Sequence, residues 1–170
     1  MEIRLAGVIR ESIVDGPGIR FVVFTQGCKH NCKGCQNPET HPLDGGYVTD
    51  TQNIIDAVKK NKIIKGVTLS GGDPLFQPKP TLDLCRKLKE NGYDIMIYTG
   101  YIFENLLKMG DEDILQILNL CDTLVDGPFV LEKRSLACRF RGSTNQRLID
   151  VQQSLKCGKT ILRDWEENEL

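Results

Sequence analysis

Cys28, Cys32 and Cys35 stand in a C-x3-C-x2-C cluster on a loop rich in Gly, Asn and Lys, directly after the strand-like run from Gly18 to Phe24. Three thiolates in one such loop can hold an iron-sulfur cube by three corners, leaving the fourth iron open to a small molecule. An open metal position points to chemistry, and a closed one more often to structure. Each thiolate must reach a different iron, so the loop has to curl. Asn31 and Gly34 are residue types that accept the left-handed backbone this demands. Zinc is the rival reading, with His41 or His30 completing a Cys3His set, although His30 lies between two ligands and is expected to turn away.

A second run, Gly66-Val67-Thr68-Leu69-Ser70-Gly71-Gly72-Asp73-Pro74-Leu75, reads as a buried strand ending in two glycines, an acidic residue and a proline. Ligands of parallel sheets bind outside the carboxyl ends of the strands, and glycine there admits a ligand to the backbone. On this reading, bulk at Gly72 blocks a cofactor and leaves the cysteine cluster intact. The plainer alternative is a tight turn, for which Gly-Gly-Asp-Pro is suited anywhere.

The elements that must position these runs follow from apolar periodicity, which alternates between two-fold and helical along the chain. The spacing predicts strands over 3–8, 19–25, 66–69, 94–98, 123–126 and 147–151, and helices over 51–61, 81–91, 102–109 and 112–120. Asp50 is the expected N-cap of the first helix and Asn91-Gly92 the stop of the second. Strand, helix, strand in succession implies parallel pairing with right-handed crossovers. Too few units exist for a closed eight-fold barrel, which takes about 250 residues. The expected fold is therefore α/β, as a partial TIM-like barrel or an open, curved, mainly parallel sheet with helices on its outer face. One domain over 1–170 is expected, with a solvated or frayed acidic tail near 165–170 and Trp165 able to dock on the body or on a partner.

Composition narrows the partners. Lys+Arg 22 nearly balance Asp+Glu 23, so no global field recruits nucleic acid or an anionic membrane, and neither is expected as a partner. No stretch approaches the ~20 apolar residues of a membrane span, and the opening Met1-Glu2-Ile3-Arg4 lacks the character of a secretory signal, so the expected location is cytoplasmic. Cys85, Cys121, Cys138 and Cys157 lie scattered, an arrangement that suits metal ligation in a reducing compartment better than a disulfide framework. These four are read as core packing.

The cysteine motif followed by a Gly-Gly-acidic strand end resembles the radical S-adenosylmethionine enzymes. Six ordered blocks narrow the resemblance: Asp15-Gly16-Pro17-Gly18-Ile19-Arg20, Cys35-Gln36-Asn37-Pro38-Glu39-Thr40, Ser70-Gly71-Gly72-Asp73-Pro74-Leu75, Tyr98-Thr99-Gly100-Tyr101, Asp126-Gly127-Pro128-Phe129 and Arg139 to Arg147. Together they are similar to the activating proteins of anaerobic ribonucleoside-triphosphate reductase. The resemblance implies that Cys28, Cys32 and Cys35 hold a 4Fe-4S cluster whose open iron is chelated by S-adenosylmethionine. One electron then cleaves the sulfonium and releases a 5'-deoxyadenosyl radical, which takes a hydrogen atom from a glycine.

The same resemblance places Gly34 and Gln36 beside the adenine, and Gly71, Gly72 and Asp73 at the methionine part, with Thr99 as a further cofactor contact. Gly34 departs from the aromatic residue that many radical enzymes carry before the third cysteine, so its contact is by backbone. Asp73 stands in the acidic position as Asp rather than Glu. The implied partners are the large subunit of the reductase, through a glycine loop near its C-terminus, and an electron donor such as flavodoxin. Two other readings stay open: a small-molecule radical enzyme like the 7-carboxy-7-deazaguanine synthases, and a zinc-stabilised binding module. Asp126-Gly127-Pro128 reads as a turn, and Arg139, Arg141, Asn145, Gln146 and Arg147 as a solvated face or a docking edge.

Overall fold

Side chains of two kinds alternate along the strands and face opposite ways. In the computed structural model, which describes residues 1–165, the strands are β1 (Glu2–Ser12), β2 (Arg20–Thr25), β3 (Tyr47–Asp50), β4 (Gly66–Gly71), β5 (Asp94–Tyr98), β6 (Thr123–Asp126) and β7 (Arg147–Asp150). They form one open sheet in the order β3-β1-β2-β4-β5-β6-β7. One face carries Phe21, Val23, Val67, Leu69, Ile95, Ile97, Leu124 and Ile149, all buried in the main core. The helices α1 (Thr51–Lys59), α2 (Pro78–Glu90), α3 (Phe103–Met109), α4 (Glu112–Leu120) and α5 (Val151–Cys157) contribute to that same core. The other face carries a smaller cluster of Met96, Val125 and Leu148, against which Tyr98, Phe140 and Trp165 pack.

The open α/β sheet with helices on one face is the expected architecture. Its centre, β2-β4-β5-β6, is parallel, whereas β1 and β3 on one side and β7 on the other run antiparallel to their neighbours. The nature of the connections explains the difference. A parallel crossover needs a dozen or more residues, usually a helix. Only the short turn after Ser12 links β1 to β2, and no α-helix stands between β6 and β7.

The caps behave as their chemistry requires. Asp50 accepts a hydrogen bond from the Gln52 N–H at 2.8 Å, and α2 stops at Asn91 with Gly92 at φ +76°. Val151, expected as the last residue of a strand, instead begins α5, because Asp150 caps it by accepting from the Gln153 N–H. Trp165 docks on the body, edge-on to Phe140 at 5.4 Å. The frayed acidic segment expected over 166–170 lies outside the described residues.

Arg20 closes the amino ends of the parallel strands. It is 2% exposed, donates to the Thr68 hydroxyl at 2.7 Å and to the Val67 carbonyl at 3.0 Å, and pairs with Asp94. A Cβ at Gly16 or Gly66 would strike its side chain, so the glycines around it make room for a buried guanidinium.

Asp126-Gly127-Pro128 is more than a turn. The Asp126 carboxylate is fully buried, accepts from the Phe103 N–H at 2.8 Å, and is gripped by Arg147, which also pairs with Glu104. Asn145 donates to the Pro128 carbonyl and Gln146 to the Gly127 carbonyl, stitching the two blocks together. Asn145, Gln146 and Arg147 are thus internal fasteners rather than a solvated face.

Arg147 and the Thr160 hydroxyl hold the Glu104 carboxyl down to about 2, chiefly through the Arg147 hydrogen bond. A depressed folded value means that this contact stabilises the fold above the unfolded value of 4.5 and loses its effect as pH falls towards about 2. In urea titrations, Glu104→Gln should therefore be less stable than the parent near neutral pH, and the gap should narrow as pH falls below 4.5 and close only towards about 2. A gap that widens on acidification would contradict this origin.

Candidate active site

The loop after β2 is closed by protein before any metal is considered. The Gly27 N–H donates to the Thr40 carbonyl at 2.7 Å and the Cys28 N–H to the His41 carbonyl at 3.1 Å. Gln26, 3% exposed, reaches across this closure and donates to the carbonyls of Glu39 and Pro42. Within the loop Asn31 takes φ +54° and Gly34 φ +72°, the left-handed turns its curl requires. Cys28, Cys32 and Cys35, all free thiols, line one cavity of about 740 Å³.

The cavity is built on the sheet face opposite the helices, with Phe24, Ser70 and Tyr98 in its wall. Gln36, Gly71, Gly72 and Thr99 also line it. Gly34 does not; its Cα faces the Leu131 side chain, which a Cβ would meet at 2.9 Å. Asp73 does not line it either. Its carboxylate is fully buried and accepts from four donors: His30 Nε2 at 2.7 Å, the Thr99 hydroxyl at 2.8 Å, and the N–H groups of Gly100 at 2.9 Å and Leu75 at 2.9 Å.

Asp73 therefore ties the cysteine loop to the ends of two parallel strands. The His30 ring, committed to Asp73, also stands edge-on to Tyr101 at 4.6 Å and Phe76 at 5.4 Å. Thr99 uses its hydroxyl proton on Asp73 and accepts from the Tyr101 N–H, so it is a turn cap that happens to face the cavity. Sequence reasoning missed the His30 partnership; an acidic residue at a strand end gives no local signal of which distant donors it will gather.

Gly72 carries a different constraint from the one expected. A Cβ there would meet the Gly27 carbonyl oxygen at 2.3 Å, and one at Gly71 would meet the Thr25 backbone at 2.6 Å. The glycines are required first by the approach of the β4 end to the root of the cysteine loop. The Gly72 and Asp73 N–H groups donate to the Thr25 and Gly27 carbonyls, so this approach is hydrogen-bonded.

Burial pushes the Cys28 thiol up, opposed by the His30 and Asn31 N–H groups that favour thiolate; metal ligation displaces such a proton. Cys35 Sγ accepts from the Asn37 N–H at 3.4 Å, a contact of the kind that tunes cluster potentials. A cube takes each of its thiolate ligands at a separate iron, and the three cysteines line one cavity.

The scattered cysteines divide. Cys85 and Cys121 are buried in the core, and burial pushes the Cys85 thiol up to about 12. Cys157 is exposed and Cys138 lines the cavity, so core packing does not describe those two. Arg139 and Arg141 line the cavity as well.

Two variants test this geometry. Gly72→Val should lower iron and sulfide loading after anaerobic reconstitution, because the new methyls displace the Gly27 carbonyl; full loading with cofactor binding alone impaired would restore the ligand-approach reading. Asp73→Ala leaves four donors without their acceptor and should destabilise the fold by about 3 kcal/mol in urea titration. An unchanged midpoint would mean the hub is idle.

Comparison with known proteins places this geometry. Residues 14–149 match the family described as a 4Fe-4S single cluster domain. The chain is 37% identical over 142 residues to the anaerobic ribonucleoside-triphosphate reductase-activating protein of Vibrio cholerae, covering 79% of this chain and 89% of that one. It is 36% identical over 128 residues to the pyruvate formate-lyase-activating enzyme of Clostridium pasteurianum, covering 70% of this chain and 54% of that one. Among solved structures it is similar to QueE from Escherichia coli, with a TM-score of 0.49 and 14% identity over 74% of this chain and 71% of the other. The chain belongs to the family of anaerobic ribonucleoside-triphosphate reductase-activating proteins.

Proposed function

We propose that the protein is a glycyl-radical activase that binds a 4Fe-4S cluster and S-adenosylmethionine and places a radical on one glycine of an anaerobic ribonucleoside-triphosphate reductase. One observation carries the reading: three free cysteines and the Gly71-Gly72 strand end wall a single cavity. When bound, the cluster and S-adenosylmethionine together supply a strong hydrogen-atom abstractor through one-electron cleavage of the sulfonium.

The chain's own residues hold and shield that chemistry. Cys28, Cys32 and Cys35 ligate, with the Asn37 N–H on the Cys35 sulfur. With the Gly72 and Asp73 N–H groups engaged, the β4 end offers carbonyl oxygens, acceptors suited to the α-ammonium of the cofactor. Gln36 lies on the cysteine side of the cavity for the adenine. Phe24, Phe129 and Phe140 in the wall keep water from the reacting centre.

Access for a protein substrate comes from the open sheet. Ile9, Ile13 and Val14 line the cavity from the β1 side and Leu136 from the opposite side, leaving a lateral mouth through which a glycine-bearing loop can enter. No helix among the described residues is long and apolar enough to cross a membrane. The seven free thiols suit a reducing compartment, and we assign the reaction to the cytoplasm, with an electron donor such as flavodoxin.

Mixed anaerobically with the reductase, S-adenosylmethionine and reductant, the protein should yield a glycine-centred radical by electron paramagnetic resonance. Cys28→Ala, Cys32→Ala or Cys35→Ala should each abolish both the cluster and that signal, whereas Cys85→Ala should keep both. A loaded, cofactor-cleaving protein that never radicalises the reductase would overturn the assignment.

A further inference from the structure

The cysteine cavity adjoins a second recess. This recess, of about 780 Å³, includes Leu162, Arg163 and Trp165 in its walls and shares Leu136, Arg139, Arg141 and Gln146 with the first. At about 740 Å³ the first already has the size of a small-ligand pocket. An adjoining recess of similar size, with four wall residues in common, extends it into a trough long enough for a length of chain.

Four arginines and one carboxylate, Asp164, line the second recess together with apolar side chains. Arg147 is held by Glu104 and Asp126, and Arg163 leans on Asp150 at 3.3 Å. Arg139 and Arg141 have no carboxylate partner among the described residues; they donate only to the backbone carbonyls of Trp165 at 3.5 Å and Gln146 at 3.1 Å. The Nε atoms of Arg141 and Arg163 are buried without an acceptor, and buried donors in native proteins are almost always satisfied by something. Leu136 and Leu162 in the trough are 93% and 59% exposed.

Backbone strain presents the two arginines. Phe140, between them, takes φ +56°, which a bulky residue rarely adopts. The Tyr98 hydroxyl donates to its carbonyl at 2.7 Å and Trp165 packs against its ring, so the surroundings enforce the turn. Strain held in this way gathers at functional positions.

We propose that the trough docks an extended segment of the reductase in which a carboxylate side chain lies next to apolar ones. The carboxylate pairs with Arg139 and Arg141, and the apolar groups lie on Leu136 and Leu162. The segment thereby leads the reacting glycine into the cysteine cavity, so the proposal rests on the activase reading. Arginines without a carboxylate partner among the described residues set complementarity, and exposed leucines supply the area that docking buries.

Binding of the purified reductase to the cluster-loaded protein tests this, titrated at about 0.05 M and about 0.3 M salt. Arg139→Glu should weaken affinity about tenfold and flatten its salt dependence, Arg139→Lys should retain most of it, and Leu162→Glu should weaken it at both salt levels. Iron content and the thermal midpoint check that each variant is folded. Parent-like affinity in both folded glutamate variants overturns the docking surface while leaving the activase reading in place. If the parent protein itself fails to bind the reductase, both fall. If Arg139→Glu instead weakens only the binding of an acidic flavodoxin, the trough belongs to the electron donor and the proposal is wrong.

Discussion

A buried carboxylate with four donors fixes the relative positions of the parts that matter. Asp73 receives His30 from the cysteine loop, Thr99 and Gly100 from the end of β5, and Leu75 from its own turn. A charge taken out of water is tolerable only when its partners are all in place, which makes the segments interdependent. The cysteine loop therefore cannot drift from the sheet edge without stripping Asp73 of its partners. The acidic residue of the Gly-Gly-acidic signature serves the site from behind, by positioning what faces the cavity.

The sheet divides the labour between its faces. All five helices of the described residues pack on one side, and the other is left to a small apolar cluster and the cavity. Arg20 fills the amino ends of the strands, and the cavity is lined by residues from their carboxyl ends. Antiparallel β1 and β7 end the parallel run on both flanks, and among the described residues no strand joins the sheet edges β3 and β7. The connections before β3 and β7 contain no α-helix, so neither makes the helical crossover that would add a further parallel strand.

Local features of this design were legible in the sequence, and long-range ones were not. The bounds of β5, β6 and α4 coincide with those read from periodicity, because each is a compact apolar run with clear ends. β3 escaped notice because its Tyr47 and Val48 are exposed and it pairs only along the edge of β1. The cysteine motif was legible because ligand spacing is local, and so were the left-handed Asn31 and Gly34. The roles of Asp73, Asn145, Gln146 and Arg147 depend on partners tens of residues away, and no periodicity encodes those. The same holds for Gly72, whose neighbour Gly27 lies on a different strand end.

The root of the cysteine loop is pinned by Gly27 to Thr40, Cys28 to His41 and Gln26 to Glu39 and Pro42, all bonds of the polypeptide itself. Small zinc domains, by contrast, unfold when their metal leaves. Damage by oxygen should therefore strip the inorganic core and spare the scaffold. The emptied chain should then take up iron and sulfide again without having to refold.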